Sequence, residues 1–259
     1  MPRVDSLDGL ERAAAGFEVS DLGLVIEPRA LEAARRSLEE SGLLLLGEVH
    51  GVGENPLLIR ALMQALGLTS LALEWPEDLA PVIGAFVAGG ALADHPLLWL
   101  GDGRITAGHL AVLRERAAAG PLSVCLFDGT AGAGWSWSRR DEAMAGRILA
   151  AAGDPGMLVV AGNAHTPTVL TDLGVPLGAR LSGQRPGVRE IRVSYGGGGR
   201  FYSMRPREFP GAGGGDGRVR LCEQQDSLVL ELPAATEAIV PQRRLAMARA
   251  LVALYMKRS

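Results

Sequence analysis

The chain has 259 residues, 47% of them hydrophobic, with a formal net charge of -3 and a pI near 5.9. That length can bury a full α/β core, and its mixed, slightly acidic charge offers no basic patch of the kind that holds nucleic acid. Its two cysteines, Cys125 and Cys222, lack CxxC spacing, which argues against a disulfide framework or a zinc finger and suits a reducing compartment.

Residues 1–26 carry no apolar signal core, and no window reaches 18 unbroken apolar residues. The expectation is a cytoplasmic chain that makes no use of a membrane. Residues 19–25 read as an edge strand or packed loop. From 28 to 40, Leu31, Ala34 and Leu38 recur at helical spacing, and Gly42 closes that helix. Residues 43–46 are an unbroken leucine run beside glycines, the pattern of a strand buried on both faces. The run leads into Gly47-Glu48-Val49-His50-Gly51-Val52-Gly53, whose glycines allow a tight turn and the close approach of a ligand. Asn55 then reads as an N-cap, Pro56 as the first helical residue and Gly67 as the C-cap.

A second apolar run at 70–73 ends in Glu74-Trp75-Pro76, and Pro76 limits any continuation as a central strand. Between 77 and 120 helical segments are broken by Gly89-Gly90, His95-Pro96 and Gly101-Asp102-Gly103. This is longer than an ordinary crossover and reads as a helical insertion over the strand carboxyl ends, a lid or substrate wall. Its histidines, His95 and His109, read as surface or packing groups. Residues 122–127 form a third buried strand, followed by Asp128 and a glycine and tryptophan loop at 129–137. Ser138 with Asp141 resembles a capping box for a helix running through Met144 and Ile148 to Gly153.

After a turn at 154–156, residues 157–161 form a fourth buried strand that delivers Gly162-Asn163-Ala164-His165. A short helix is expected to end near Gly174. Ile191, Val193 and Tyr195 alternate with polar residues as in a half-exposed strand, residues 228–232 form a last strand, and Leu245, Ala248, Val252 and Tyr255 mark a closing amphipathic helix. The glycine runs at 196–199 and 211–217 lack GxGxxG or GxxxxGK[ST] spacing and read as loops. The whole is expected to be a single α/β domain over 1–259, with a mostly parallel central sheet flanked by helices.

Four apolar strands thus end in an acid or an imidazole: Glu48 with His50, then Glu74, Asp128 and His165. Parallel neighbours would bring these groups into one crevice beyond the strand carboxyl ends. Two chemistries use this set. In one, His50 is a general base for water or a substrate hydroxyl, Glu48 and Glu74 orient it or the water, and His165 stands on the opposite wall. In the other, a divalent metal sits among His50, His165, Glu48 and Glu74 with an open position for water. There is no HExxH helix and no GxSxG elbow, and neither cysteine has a neighbouring imidazole in sequence.

At Leu46-Gly47-Glu48-Val49-His50-Gly51, Leu73-Glu74-Trp75 and Val160-Ala161-Gly162-Asn163-Ala164-His165 the chain resembles the erythromycin-esterase and ChaN-like superfamily, which also includes TraB and Tiki proteins. The matching text falls between residues 41 and 173. The resemblance implies a parallel α/β core with a helical insertion and a polar cleft built on the two histidines and the acids. It implies a hydrolase acting on a small-molecule or natural-product substrate, such as an ester, with no cofactor. Tiki-like members imply instead a metal-dependent peptidase, and ChaN-like members a haem-binding protein without turnover. By the esterase pattern Arg60 would help hold the site, its other reading being a solvated helix face. Asp128, Trp75 and Asn163 would then contact substrate.

Overall fold

The computed structural model of the chain describes residues 3–129, 136–153, 156–211, 217–225 and 227–243. Most of the loop expected at 129–137, the turn at 154–155, most of the glycine run at 211–217 and the closing helix marked by Leu245, Ala248, Val252 and Tyr255 lie outside the described residues.

In chain order the elements are β1 (Arg3–Val4), α1 (Leu7–Ala15), β2 (Val25–Ile26), α2 (Pro28–Ser41), β3 (Leu43–Glu48), α3 (Asn55–Leu66), β4 (Ser70–Pro76), α4 (Ala80–Val87), α5 (Ala107–Ala119), β5 (Ser123–Asp128), α6 (Trp137–Ala151), β6 (Met157–Gly162), α7 (Leu177–Gln184), β7 (Arg189–Ser194), β8 (Gly199–Ser203), β9 (Arg205–Phe209), β10 (Arg220–Gln224), β11 (Ser227–Glu231) and β12 (Val240–Pro241). Eight strands form the central sheet in the order β2-β10-β11-β7-β3-β6-β4-β5. Within it β10 and β11 run antiparallel, and every other pairing is parallel. The mostly parallel sheet flanked by helices matches the fold class read from the sequence.

The leucine run of β3 explains why the middle of the sheet is apolar throughout. Leu44 and Leu46 join Leu71, Leu73, Leu158 and Val160 in a core that includes Leu58, Leu62 and Leu110 of α3 and α5. Leu43 and Leu45 face the other way, onto Val159 and the side chains of Met144, Ile148, Leu177 and Leu181 from α6 and α7. With both faces covered, each buried leucine contributes roughly 2 kcal/mol of transfer free energy, and a polar residue has no wet face to occupy. The glycine stops hold as expected, since Gly42 and Gly67 are both left-handed, with φ of 74° and 66°.

Several local readings are corrected. Glu54, not Asn55, occupies the N-cap position of α3. Asn55 lies inside the helix with its side chain turned back, donating to Val49 O at 2.9 Å and accepting from the Tyr195 hydroxyl at 3.2 Å. It therefore secures the preceding turn instead of the helix start. Residues 164–175 are turns where a short helix was expected, and α7 begins only after Pro176. The glycines at 196–199 lead directly into the β8–β9 hairpin, whose short, mostly exposed strands leave little apolar alternation to read.

The 77–120 segment divides in two. Its later part, α5, is the crossover helix between β4 and β5 and packs on α1 and α3. Its earlier part runs through α4 and a 3-10 turn at Pro96–Trp99 before passing the strand carboxyl ends. Among the described residues no helix is long and apolar enough to cross a membrane.

Candidate active site

The carboxyl ends of β3, β6, β4 and β5 stand side by side and open into a cleft of about 670 Å³. Its floor carries Glu48, His50, Glu74, Asp128 and His165 together with Arg104 and Arg140. Pro76, Leu97, Leu100, Trp137 and Phe201 provide apolar walls. A cavity of this size with a few convergent polar groups is the usual form of a small-molecule site.

His50 sits in the turn after β3. Gly51 has a φ of 80°, and a Cβ there would lie 1.8 Å from the carbonyl oxygen of Tyr202, so glycine is required for the turn. The His50 ring is held between two carboxylates, with Nδ1 3.1 Å from Glu48 Oε1 and Nε2 3.5 Å from Glu74 Oε2. Its approach depends on Gly162 across the cleft, where a Cβ would come within 3.0 Å of His50 Nε2. Gly162 also donates its N–H to Glu74 Oε2 at 2.7 Å. Burial disfavours a charged imidazole, but Glu48 and Glu74 outweigh it and raise the His50 pKa to about 10. Glu74 is correspondingly held well below the usual carboxylate range, its burial more than offset by His50, His165 and Arg104. For Glu48 burial prevails and its pKa is raised, although His50 pulls the other way.

His165 is set differently. Its Nδ1 is 2.6 Å from Asp141 Oδ1, and the other Asp141 oxygen accepts the Leu177 N–H at 3.0 Å. Arg140 Nη1 lies 3.0 Å from Nε2. A guanidinium can only donate, so Nε2 accepts and the ring proton belongs on Nδ1, facing Asp141. Trp137 stacks on the imidazole with ring centroids 4.3 Å apart and planes 9° from parallel.

Two arginines tie the floor together. Arg140 donates to Glu74 Oε1 at 2.6 Å and to Asp128 Oδ1 at 2.9 Å. Arg104 bonds Asp102 at 2.8 Å, Asp128, and the Glu74 carbonyl at 3.3 Å. Charge-assisted pairs of this kind suit a site whose carboxylates have left water, since an unpaired one would be costly there. Arg104 in turn holds Asp102 below its ordinary pKa against the opposing effect of burial.

Of the residues singled out from the sequence, Glu48, His50, Glu74, Asp128, Asn163 and His165 share this cleft. Asn163 also donates its backbone N–H to Glu48 O at 2.9 Å. Trp75 does not line the cleft: it is buried behind the floor, where its indole N–H donates to Arg104 O at 2.9 Å. Arg60 also lies elsewhere, bonding Glu115 at 3.0 and 3.1 Å and so joining α3 to α5. His95 accepts the Leu97 N–H at the start of its 3-10 turn, and His109 is buried against the edge of Trp75.

Sequence reasoning missed Arg104, Arg140, Asp141 and Trp137. Ser136 caps α6 by accepting from Arg139 N at 3.3 Å, which corrects the Ser138–Asp141 capping box. Asp141 had left a trace, because it falls on the helical face of Met144, Ala145 and Ile148 and is fully buried with them. A carboxylate on an apolar stripe calls for a partner. Arg104 carried no comparable mark.

The four side chains suggested as metal ligands are not disposed as a donor set. Both His165 nitrogens and Glu74 Oε1 already face Asp141 or the Arg140 cation. Among the described residues no group of three His, Cys, Asp or Glu side chains is placed to hold a metal ion.

No family model matches the chain, and no curated protein matches it. Two solved chains described as bacterial protein toxins align with 20% and 24% identity, each over 72% of this chain and 39% of their own length, with a TM-score of 0.45. The structure of the type III effector HopBA1 aligns with 16% identity over 80% of this chain and 91% of the effector, with a TM-score of 0.47. The chain therefore spans about two fifths of the toxin chains it resembles.

Proposed function

We propose that the protein is a hydrolase acting by acid/base chemistry, without a metal, on a small molecule of ester type. The observation that carries this reading is the opposite state of two imidazoles in one cleft. His50 lies between two carboxylates that keep its proton on, while His165 presents an accepting Nε2 oriented from behind by Asp141. Two imidazoles in one cleft, one held with its proton and the other offering a lone pair, divide naturally into acid and base. The motif resemblance supports the same class of reaction.

In this scheme His165 Nε2 takes a proton from water as the water attacks the acyl carbon, once Arg140 turns from Nε2 to the substrate. The carbonyl electrons move onto oxygen, where Arg140 stabilises the developing charge. As the tetrahedral centre collapses, His50 gives its proton to the departing alkoxide, so an ester and water become an acid and an alcohol. The expected general base at His50 is thus reassigned to proton donor, because a ring with a pKa of about 10 holds its proton at neutral pH. Apolar walls at Leu97, Leu100, Trp137 and Phe201 favour an uncharged, partly apolar substrate. The floor's arginines are already matched by Asp102, Asp128 and Glu74, which leaves little to attract an anion.

The deciding experiment is a screen of neutral esters and lactones against metal-stripped protein, with His50→Ala and His165→Ala as controls. Turnover that survives chelation and vanishes in both variants supports the reading. Turnover restored only by added metal, or a Soret band with no turnover, would replace it with the metal-dependent or haem-binding alternative.

A further inference from the structure

Behind the floor of the cleft lies a second, small space lined by Glu48, His50, Glu74, Trp75, Arg104 and His109, among others. It offers about 10 Å³ to the centre of a water molecule, room for one. Glu48, 3% exposed, has one oxygen on His50, and the other, Oε2, is buried without a hydrogen-bond partner among the described residues. A buried carboxylate oxygen left in that condition costs free energy unless something donates to it.

His109, 4% exposed, is the second unusual group. Thr106 Oγ1 accepts the His109 N–H at the start of α5 and stands 2.9 Å from His109 Nδ1. When the hydroxyl donates its proton to Nδ1, the ring proton of His109 sits on Nε2, and this is the tautomer that can donate into the space beside Glu48. Burial and the nearby charge of His50 push the His109 pKa down to about 3, so this imidazole stays neutral.

We infer that Glu48 Oε2 and His109 hold one internal water between them, and that His109 is a positioning residue acting through Glu48 on His50. The water accepts from His109 Nε2 and donates to Glu48 Oε2, which keeps Glu48 ionised and its other oxygen on the His50 ring. The charged and titratable groups facing His50 are Glu48 from β3, Glu74 from β4, Asp102 and Arg104 from the 97–104 stretch and His109 from α5. Of these only His109 carries no charge, so its influence must travel through a hydrogen bond. This inference deepens the acid role given to His50, but its test does not use turnover.

Two measurements on the full chain decide it. A high-resolution crystal structure should show one solvent peak within hydrogen-bonding distance of both Glu48 Oε2 and His109 Nε2; an empty space, or an Oε2 turned to a protein donor, overturns the inference. The ring nitrogens of His50 are then titrated by NMR in wild type, His109→Phe and His109→Gln. Phenylalanine fills the volume and removes the donor, and should lower the His50 midpoint by about one pH unit, the scale of one hydrogen bond to the ionised form of its partner. Glutamine keeps an amide donor and should hold the midpoint near the wild-type value. A midpoint unchanged in His109→Phe, with only a lower melting temperature, would show that His109 merely packs. If the phenylalanine variant fails to fold, the crystal structure and the glutamine variant still decide: a glutamine midpoint that falls as far as one pH unit would count against the water bridge.

Discussion

The two halves of the central sheet serve different ends, one paired in parallel throughout and the other carrying the antiparallel β10–β11 pair. In the half formed by β5, β4, β6 and β3, the middle strands are buried along nearly their whole length, and their carboxyl ends present Asp128, Glu74, Gly162 and Glu48. In the half formed by β7, β11, β10 and β2, burial alternates or is partial, and the strand ends contribute anchors. Tyr195, just past β7, is the clearest of these: its hydroxyl accepts the Val49 N–H at 2.9 Å and donates to Asn55 at 3.2 Å, fixing both sides of the His50 turn. Charged chemistry gathers where strands are covered on both faces because low local polarity strengthens each ion pair and rigid strands hold the geometry. The outer half can do its part with single neutral hydrogen bonds.

The sharpest attempt to break this contrast is Arg140→Met. It leaves Glu74 and Asp128 short of a cation and should destabilise the protein by roughly 3 kcal/mol, the cost of orphaning buried charge, while also abolishing turnover. A denaturant titration showing no loss would mean that the charges of the inner half are not coupled. Next comes His50→Ala, expected to lower kcat by about a hundredfold or more and also to lower the melting temperature at neutral pH, since it leaves the buried Glu48 and Glu74 without the proton held between them. Wild-type turnover in this variant would remove the inner half's claim to the chemistry.

Tyr195→Phe probes the outer half. It should cost about 1 kcal/mol for the lost hydrogen bonds and lower kcat by about tenfold through a loosened His50 turn, without altering the pH profile of stability. A loss as large as that of His50→Ala would erase the distinction between the halves. Smallest of all, Arg60→Met should change stability by less than about 0.5 kcal/mol and leave kcat unchanged, because its pair with Glu115 lies between helices away from the cleft.

Stability against pH sharpens the comparison from the inner half alone. The His50 pKa rises from 6.5 to about 10 on folding, so the native state holds a proton that the unfolded chain has released. Its stabilisation is complete below pH 6.5 and is lost as pH climbs towards 10. His109 has the reverse sign, falling from 6.5 to about 3. Here the unfolded chain takes up a proton that the folded protein refuses, and stability drops as pH falls from 6.5 towards 3. The two together predict a maximum near pH 6.5, with the alkaline limb flattened in His50→Ala and the acid limb in His109→Phe. Thermal unfolding across pH measures both limbs, and an alkaline limb that persists in His50→Ala would mean that another group causes it.

The sequence alone determined the local part of this arrangement. Runs such as Leu43 to Leu46 must become strands covered on both faces, glycines such as Gly42 and Gly67 must end helices, and the acids and imidazoles after those runs must emerge at strand ends. Parallel pairing then gathered Glu48, His50, Glu74, Asp128 and His165 without further information. Only the tertiary structure decided what each of those groups does. Arg104 and Arg140 reach the floor from a crossing segment and from a helix more than 50 residues after Glu74, and Asp141 meets His165 only because α6 packs against β5 and α7. The proton on His50 and the accepting nitrogen of His165 depend on those distant partners, because electrostatic free energy is set by separation in space and by burial, neither of which is written in the spacing of residues along a chain.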